Sequence, residues 1–202
     1  MSSELLICRT LAHLACVDSI RMRAGFLDEL DWDRLRAAAI ELTESSILVD
    51  DTPMTTIRHV YEKTQAVHEE KALELVVVDD LQRLAPLETH HSKAETLARA
   101  CHALHLLGRE LRAPILALSQ LNREPEKRRD HRPILSDLRD SGVLEEFADV
   151  VFFLYRDEAY HPDTTDRGVA EVIVSKHRNG PLGMRRVRFR HETVHFEDLR
   201  EE

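Results

Sequence analysis

Apolar positions recur along the chain with two periods, and the changes of period mark its elements. Residues 3–16 put Leu5, Cys8, Leu11, Ala12 and Ala15 on one helical face, with Ser2 or Ser3 available as a cap. Residues 21–25 read as a short arm. A second helix opens at Asp31 or Asp33 and runs to Glu44, and residues 47–50 read as a short buried strand. From 55 to 71, Ile57, Val60, Tyr61, Thr64 and Val67 return to helical spacing. Leu75, Val76, Val77 and Val78 then run without alternation and end at Asp79 and Asp80. Such a run predicts a central parallel strand buried on both faces. A polar loop follows over 81–91, then the longest helix over 92–112. Residues 114–120 and 149–154 read as two further buried strands. Strands over 170–175 and 184–190 flank the turn Asn179-Gly180-Pro181-Leu182-Gly183, and 194–197 adds a last one. Helices alternating with buried strands, then a β-rich end, predict an α/β fold. Its sheet is mostly parallel and flanked by helices, with antiparallel C-terminal strands.

The composition narrows the class. A chain of 202 residues suits one domain over 1–202, and 43% hydrophobic with 32% charged residues is ordinary for a globular protein. The net charge of −9 excludes a polycation, so any nucleic-acid contact must come from local basic patches. Three cysteines without a C-x-x-C pair read as reduced thiols of a cytoplasmic protein. No apolar run reaches membrane-spanning length and no signal-peptide pattern opens the chain, so no membrane partner is expected.

The candidate chemistry gathers at strand ends. Asp79 ends its strand at the sheet rim, where α/β folds bind ligands, and a carboxylate there can hold Mg²⁺ directly or through water. The same aspartates also fit the start of a solvated loop. Gln120 ends the next strand at the same edge, near Asp79. Its amide suits a terminal phosphate or an attacking water, or a backbone group. Residues 123–139 hold six Lys or Arg against four Asp or Glu, a basic stretch in an acidic protein. Arg139, beside Ser141 and Gly142, suits phosphate contact, because glycine lets a backbone N–H approach closely. Lys176 and Arg178 lie two apart and share a strand face, with no acidic residue from 176 to 190. Such a pair suits an arginine finger reaching a neighbouring subunit's nucleotide, or an ordinary surface pair. Residues 191–195 satisfy H-E-x-x-H, which binds zinc only on a helix. Here the motif follows a strand and holds β-branched Thr193 and Val194, so it is set aside. His102 and His105 read as ordinary helix residues.

Several segments together resemble the C-terminal motor domain of DnaB-type replicative helicases. They are Asp50-Asp51-Thr52-Pro53, Val77-Val78-Asp79-Asp80-Leu81-Gln82, Ala117-Leu118-Ser119-Gln120-Leu121, residues 132–142, Leu154-Tyr155-Arg156-Asp157-Glu158 and residues 176–181. The resemblance covers essentially the whole chain and implies a RecA-like fold. It further implies an ATP-driven hexamer that unwinds duplex DNA at replication forks, with ATP and Mg²⁺ as cofactors. By position Asp79 is similar to the Walker B Mg²⁺ ligand and Gln120 to the phosphate sensor. Arg178 resembles the trans arginine finger, and Lys176 its companion. Arg139, Asp140 and Gly142 fall in the loop that grips single-stranded DNA. A homo-oligomeric ring, or full-length helicase subunits, are the implied protein partners.

The pattern also breaks. None of the five lysines follows a glycine, so the phosphate-cradling G-x-x-x-x-G-K-[ST] is absent. Met1 aligns just after the family's P-loop, first helix and catalytic-glutamate strand, so the fold is expected to be N-terminally incomplete. The family's N-terminal domain and linker helix also lie outside the resemblance. Asp80 stands where Tyr is usual, Asp140 for Glu and His177 for Gln. The chain alone is therefore expected neither to hydrolyse ATP nor to unwind DNA, and exposed apolar surface is expected. An alternative is a non-catalytic module that interacts with a helicase or binds DNA.

Overall fold

Side-chain caps decide where the first five helices of the computed structural model begin. It describes residues 2–87, 92–138 and 141–199. Helix α1 (Ser3–Leu14) starts on Ser2, whose hydroxyl accepts from Leu5 N. Helix α2 (Ser19–Ala24) occupies the stretch the pattern assigned to an arm. Its cap is Asp18, whose carboxylate accepts from the N–H groups of Ile20 and Arg21 at 2.6 and 3.0 Å. Those two bonds hold the Asp18 carboxyl below the usual carboxylate range. Helix α3 (Glu29–Glu44) begins earlier than expected because Asp28 caps it and Asp31 completes a capping box. Thr56 caps α4 (Ile57–Glu70), and Ser92 with Glu95 boxes the start of α5 (Lys93–Leu111). Two short helices follow, α6 (Glu124–Lys127) and α7 (Ser141–Phe147), neither foreseen.

Strands β1 (Val76–Val78) and β2 (Ile115–Ala117) pair in parallel, with Val77 opposite Leu116. Strands β3 (Val150–Tyr155), β4 (Val169–His177), β5 (Gly183–Arg190) and β6 (His195–Asp198) form a second sheet in that order, with β5 and β6 antiparallel. The architecture is mixed α/β with one parallel and one antiparallel-bearing sheet. Residues 47–50, expected as a buried strand, form none. Leu48 is 69% exposed, and among the described residues no neighbouring strand offers that segment a ladder.

The chain divides into two compact units. One comprises Met1–Thr52, Arg156–Val172 and Arg185–Glu202. Its small core joins Ala15, Val17, Leu35 and Ala38, packed by Leu11, Met22 and Leu27. Buried Asp31 meets Arg21 at 2.6 Å, which satisfies a carboxylate that would otherwise be costly to bury.

The other unit comprises Pro53–Tyr155 and Ile173–Met184. One face of α5 supplies Leu97, Ala100, Cys101, Leu104, Leu107 and Leu111. Onto it pack Ile57, Val78, Leu81, Leu138, Leu144, Val151 and Phe153. Burial pushes the Cys101 thiol up to about 11. Strands β1 and β3 are buried on one face only, against the expectation of two. In β3 burial alternates strictly, and Val77 of β1 is 54% exposed. Leu75, Leu116, Leu118, Phe152 and Leu154 are exposed as well. Helices α4, α5 and α7 cover the inner face, and among the described residues nothing matches them on the outer one. The unbroken apolar run reported a strand correctly but overstated its cover.

Candidate functional site

Parallel pairing in register brings the carboxyl ends of β1 and β2 to one rim. The ladder continues beyond both strands, with Leu118 N donating to Val78 O at 2.9 Å and Leu81 N to Leu118 O at 3.0 Å. Asp79, Asp80, Gln82, Ser119 and Gln120 therefore gather at the rim. The Asp79–Asp80 peptide is cis. Gln120 Nε2 donates to Asp80 Oδ2 at 2.8 Å, and Gln120 N donates to Gln82 Oε1 at 3.1 Å. Gln82 Nε2 donates in turn to Ser119 Oγ at 2.8 Å. The predicted neighbour of Gln120 was Asp79, but the bond falls on Asp80. Gln82 was not singled out in the sequence, although its place three residues after Asp79 returns it to the same rim.

The rim can be tested against the cofactors the resemblance implies. Asp79 is exposed, and the second oxygen of Asp80 is buried with no hydrogen-bond partner among the described residues. An orphaned carboxylate oxygen beside an exposed carboxylate fits a hard cation that keeps several waters, as Mg²⁺ does. No group of three or more His, Cys, Asp or Glu able to hold a metal occurs among the described residues. The remaining ligands at this rim would thus be water or phosphate oxygens. The triphosphate itself needs a cradle of backbone amides and a lysine, groups that Asp79, Asp80 and Gln120 do not supply.

Lys176 and Arg178 project together, as their spacing predicted, and both meet the last turn of α7. Lys176 Nζ donates to Glu145 O and, at 2.7 Å, to Ala148 O. Arg178 donates to Glu146 O at 2.5 Å and pairs with Asp149 at 3.3 Å. Two cations thus close the orphan carbonyls of a helix C-terminus, where its dipole favours positive charge. Their contacts run to this helix end and not to Asp79, Asp80 or Gln120.

The basic stretch is less free than its composition suggests. Lys127 pairs with Glu124, Arg132 pairs with Asp130 and lies over the Tyr155 ring at 4.7 Å, and Arg128 pairs with Asp137. Arg128 holds the Asp137 carboxyl below the usual carboxylate range, helped by the Ile134 N–H. Arg139 and Asp140 lie outside the described residues. Gly142 sits in the first turn of α7, where an added Cβ would meet nothing within 4 Å. Crowding therefore does not demand a glycine there. An apolar groove of about 640 Å³ lies beside this stretch, lined by Ile134, Ile173, Leu182 and Met184 among others.

The histidines take structural roles. His195 lies in β6 and stacks on His13 with ring centres 4.5 Å apart, so residues 191–195 do not form a helical zinc motif. His102 and His105 both pack against Phe147.

Comparison with known proteins adds a family. The model of the DnaB-like helicase C terminal domain matches residues 1–198. Replicative DNA helicase DnaB of Haemophilus influenzae is 37% identical over 205 residues, spanning 100% of this chain and 44% of its own length. DnaB of Buchnera aphidicola subsp. Schizaphis graminum is 40% identical over 185 residues, spanning 91% and 40%. Among solved structures, an ATPase domain superposes with a TM-score of 0.94 at 33% identity, covering 99% of this chain and 72% of that one. A DnaB-like replicative helicase, studied with its interactions with primase, gives 0.93 at 33%, covering 99% and 49%. This chain spans less than half the length of the curated relatives it matches.

Proposed function

The chain belongs to the family of DnaB-like helicase C-terminal domains, and from that premise we propose that it is motor machinery of a replicative DNA helicase. The motor is RecA-like, works in a hexameric ring in the cytoplasm, and is driven by ATP to unwind duplex DNA during replication. No described helix is long and apolar enough to cross a membrane. The observation that carries the reading is the hydrogen bond from Gln120 to Asp80, beside Asp79, on the rim shared by β1 and β2.

Bound Mg²⁺–ATP would supply the phosphoryl transfer that drives movement. Asp79 would take the cation, with Asp80 turning its unpartnered oxygen to the same ion or to one of its waters. Gln120 would exchange its bond to Asp80 for a phosphate oxygen or a positioned water, and so register the state of the nucleotide. Arg178 and Lys176 would act across a subunit boundary. To do so they must release the α7 carbonyls they now hold. Residues 139–142 would follow single-stranded DNA through its phosphates without reading bases.

A second reading is a non-catalytic module that docks on full-length helicase subunits or DNA. The engagement of Lys176 and Arg178 on α7 favours it. A chimaera decides between them, with this chain joined behind the residues of Haemophilus influenzae DnaB that it does not span. Single-stranded-DNA-stimulated ATP hydrolysis that disappears with Asp79→Asn supports the motor. A folded, inactive chimaera that slows the intact helicase supports the module. ATP hydrolysis by the 202-residue chain alone would overturn its expected inactivity.

A further inference from the structure

The stretch between Gln120 and residue 139 closes on itself. Leu121 and Leu138 form an antiparallel bridge. Asn122 N donates to Asp137 O at 2.7 Å, and Asn122 Nδ2 donates to Ser136 O at 3.1 Å. The two residues that follow Gln120 are thereby tied to the three that precede residue 139. At the centre lies Asp137, 1% exposed. Its Oδ1 accepts from one Arg128 guanidinium nitrogen at 2.6 Å and its Oδ2 from the other at 2.5 Å. Asp137 Oδ2 also accepts from Ile134 N at 2.8 Å. Arg128 reaches further, donating to Arg132 O at 2.9 Å. Arg132 in turn covers the ring of Tyr155, itself buried at the end of β3.

A fork-to-fork pair of this kind fixes direction as well as distance. A carboxylate this deeply buried must keep its cation, because losing the partner leaves an uncompensated charge. The pair therefore holds the return of the chain in one geometry.

We infer that Arg128 and Asp137 form a positioning clamp, locking the chain that leads into residues 139–142 onto the strand end that carries Gln120, so that the two shift as one piece. The role assigned to both is positioning, exerted through Leu121, Asn122 and Ser136 to Leu138. The clamp stands on the hydrogen bonds alone, while its use in coupling rests on the proposed roles of Gln120 and residues 139–142. Under that proposal, a change in the Gln120 bond moves Leu121 and Asn122, and through them Ser136 to Leu138. On that reading the displacement reaches Leu138, the residue next to the proposed DNA-contacting stretch.

The test uses the 202-residue chain with Asp137→Asn and, as the milder change, Arg128→Lys. Asparagine keeps the shape but presents an N–H where Arg128 already brings one. Hydrogen exchange is followed at Asn122, Asp137 and Leu138, with Leu104 and Leu107 of α5 as the internal reference. We expect exchange to rise by about tenfold at both sides of the bridge, with α5 unchanged. A rise on one side only, or on neither, overturns the clamp. If α5 also loses protection in Asp137→Asn, Arg128→Lys decides by the same criterion.

A second readout is binding of a fluorescent oligothymidylate. Removing a carboxylate from an acidic protein should strengthen binding if charge alone mattered. The clamp instead requires Asp137→Asn to weaken it, by about threefold or more. Equal or tighter binding overturns the coupling. An unaltered chain that binds no oligothymidylate refutes the DNA reading, while the exchange data still decide the clamp.

Discussion

Gln120 gives its side-chain amide to Asp80, the second carboxylate of the pair, at 2.8 Å. Asp79, one residue earlier, stays exposed at the same rim. The two acids therefore divide the work. Asp80 anchors the amide that ends β2 and retains one oxygen without a partner among the described residues, while Asp79 faces outward.

This division predicts unequal effects on cation binding. Asp79→Asn should weaken Mn²⁺ binding, read by electron paramagnetic resonance, by about tenfold, or ~1.4 kcal/mol. Asp80→Ala should weaken it less but lower folding stability by about 1 kcal/mol, the usual worth of a lost hydrogen bond. Equal losses in the two variants would remove the distinction, and an unaltered chain that ignores Mn²⁺ would remove the site.

Lys176 is expected to behave as a helix cap in this chain. It donates to two carbonyls at the end of α7 and is half-buried there. Charged hydrogen bonds and the helix dipole together predict that Lys176→Ala lowers stability by about 1–2 kcal/mol in urea unfolding. The more exposed Arg178 should cost about 0.5 kcal/mol when replaced by Ala. Neutral results for both would mean that the two cations serve only a partner.

Much of this arrangement was legible in the sequence, and the omissions share a cause. The long α5 was readable because Ser92, Glu95 and a continuous apolar stripe agree. The rim was readable because β1 and β2 are parallel, a pairing that needs only one helix between them. Helix α2 was missed because its only signals are its caps, Asp18 and the left-handed Gly25, with no buried residue between them. The supposed strand at 47–50 failed for the opposite reason, since apolar residues without a pairing partner make no ladder. The Arg128–Asp137 pair was hidden in a stretch whose composition looked merely basic. Charge counts along a chain do not say which cations are already spent on a buried acid.

Acid should loosen the clamp in a defined direction. Arg128 and the Ile134 N–H hold Asp137 below its unfolded value of about 3.9, so its contribution to stability is complete above that pH. It is lost as pH falls through the lower folded value. Urea midpoints measured from pH 6 to 2 should therefore fall more steeply in the unaltered chain than in Asp137→Asn. Parallel acid limbs for the two proteins would show that Asp137 contributes nothing to the dependence.

The bare outer face of the strands makes the last prediction. Val77 and Leu116 are opposite each other in the β1–β2 register and both exposed, and Leu75, Leu118, Phe152 and Leu154 are exposed in the same unit. Side chains two apart share a face, so this is a contiguous apolar surface on β1 and β2 and a second row on β3. Surfaces of that kind associate or bind hydrophobic dyes. The chain is expected to bind anilinonaphthalene sulfonate when fully folded and to sediment as a mixture of species. Val77→Thr with Leu116→Thr keeps β-compatible residues at both positions and removes apolar groups only from the outer face. It should reduce dye binding and shift sedimentation toward the monomer. Because neither side chain is buried, folding stability should stay within about 0.5 kcal/mol of the unaltered chain. A large loss of stability would show that the face is covered within the chain. Unchanged dye binding with a monomeric parent would show that the surface is not sticky in solution.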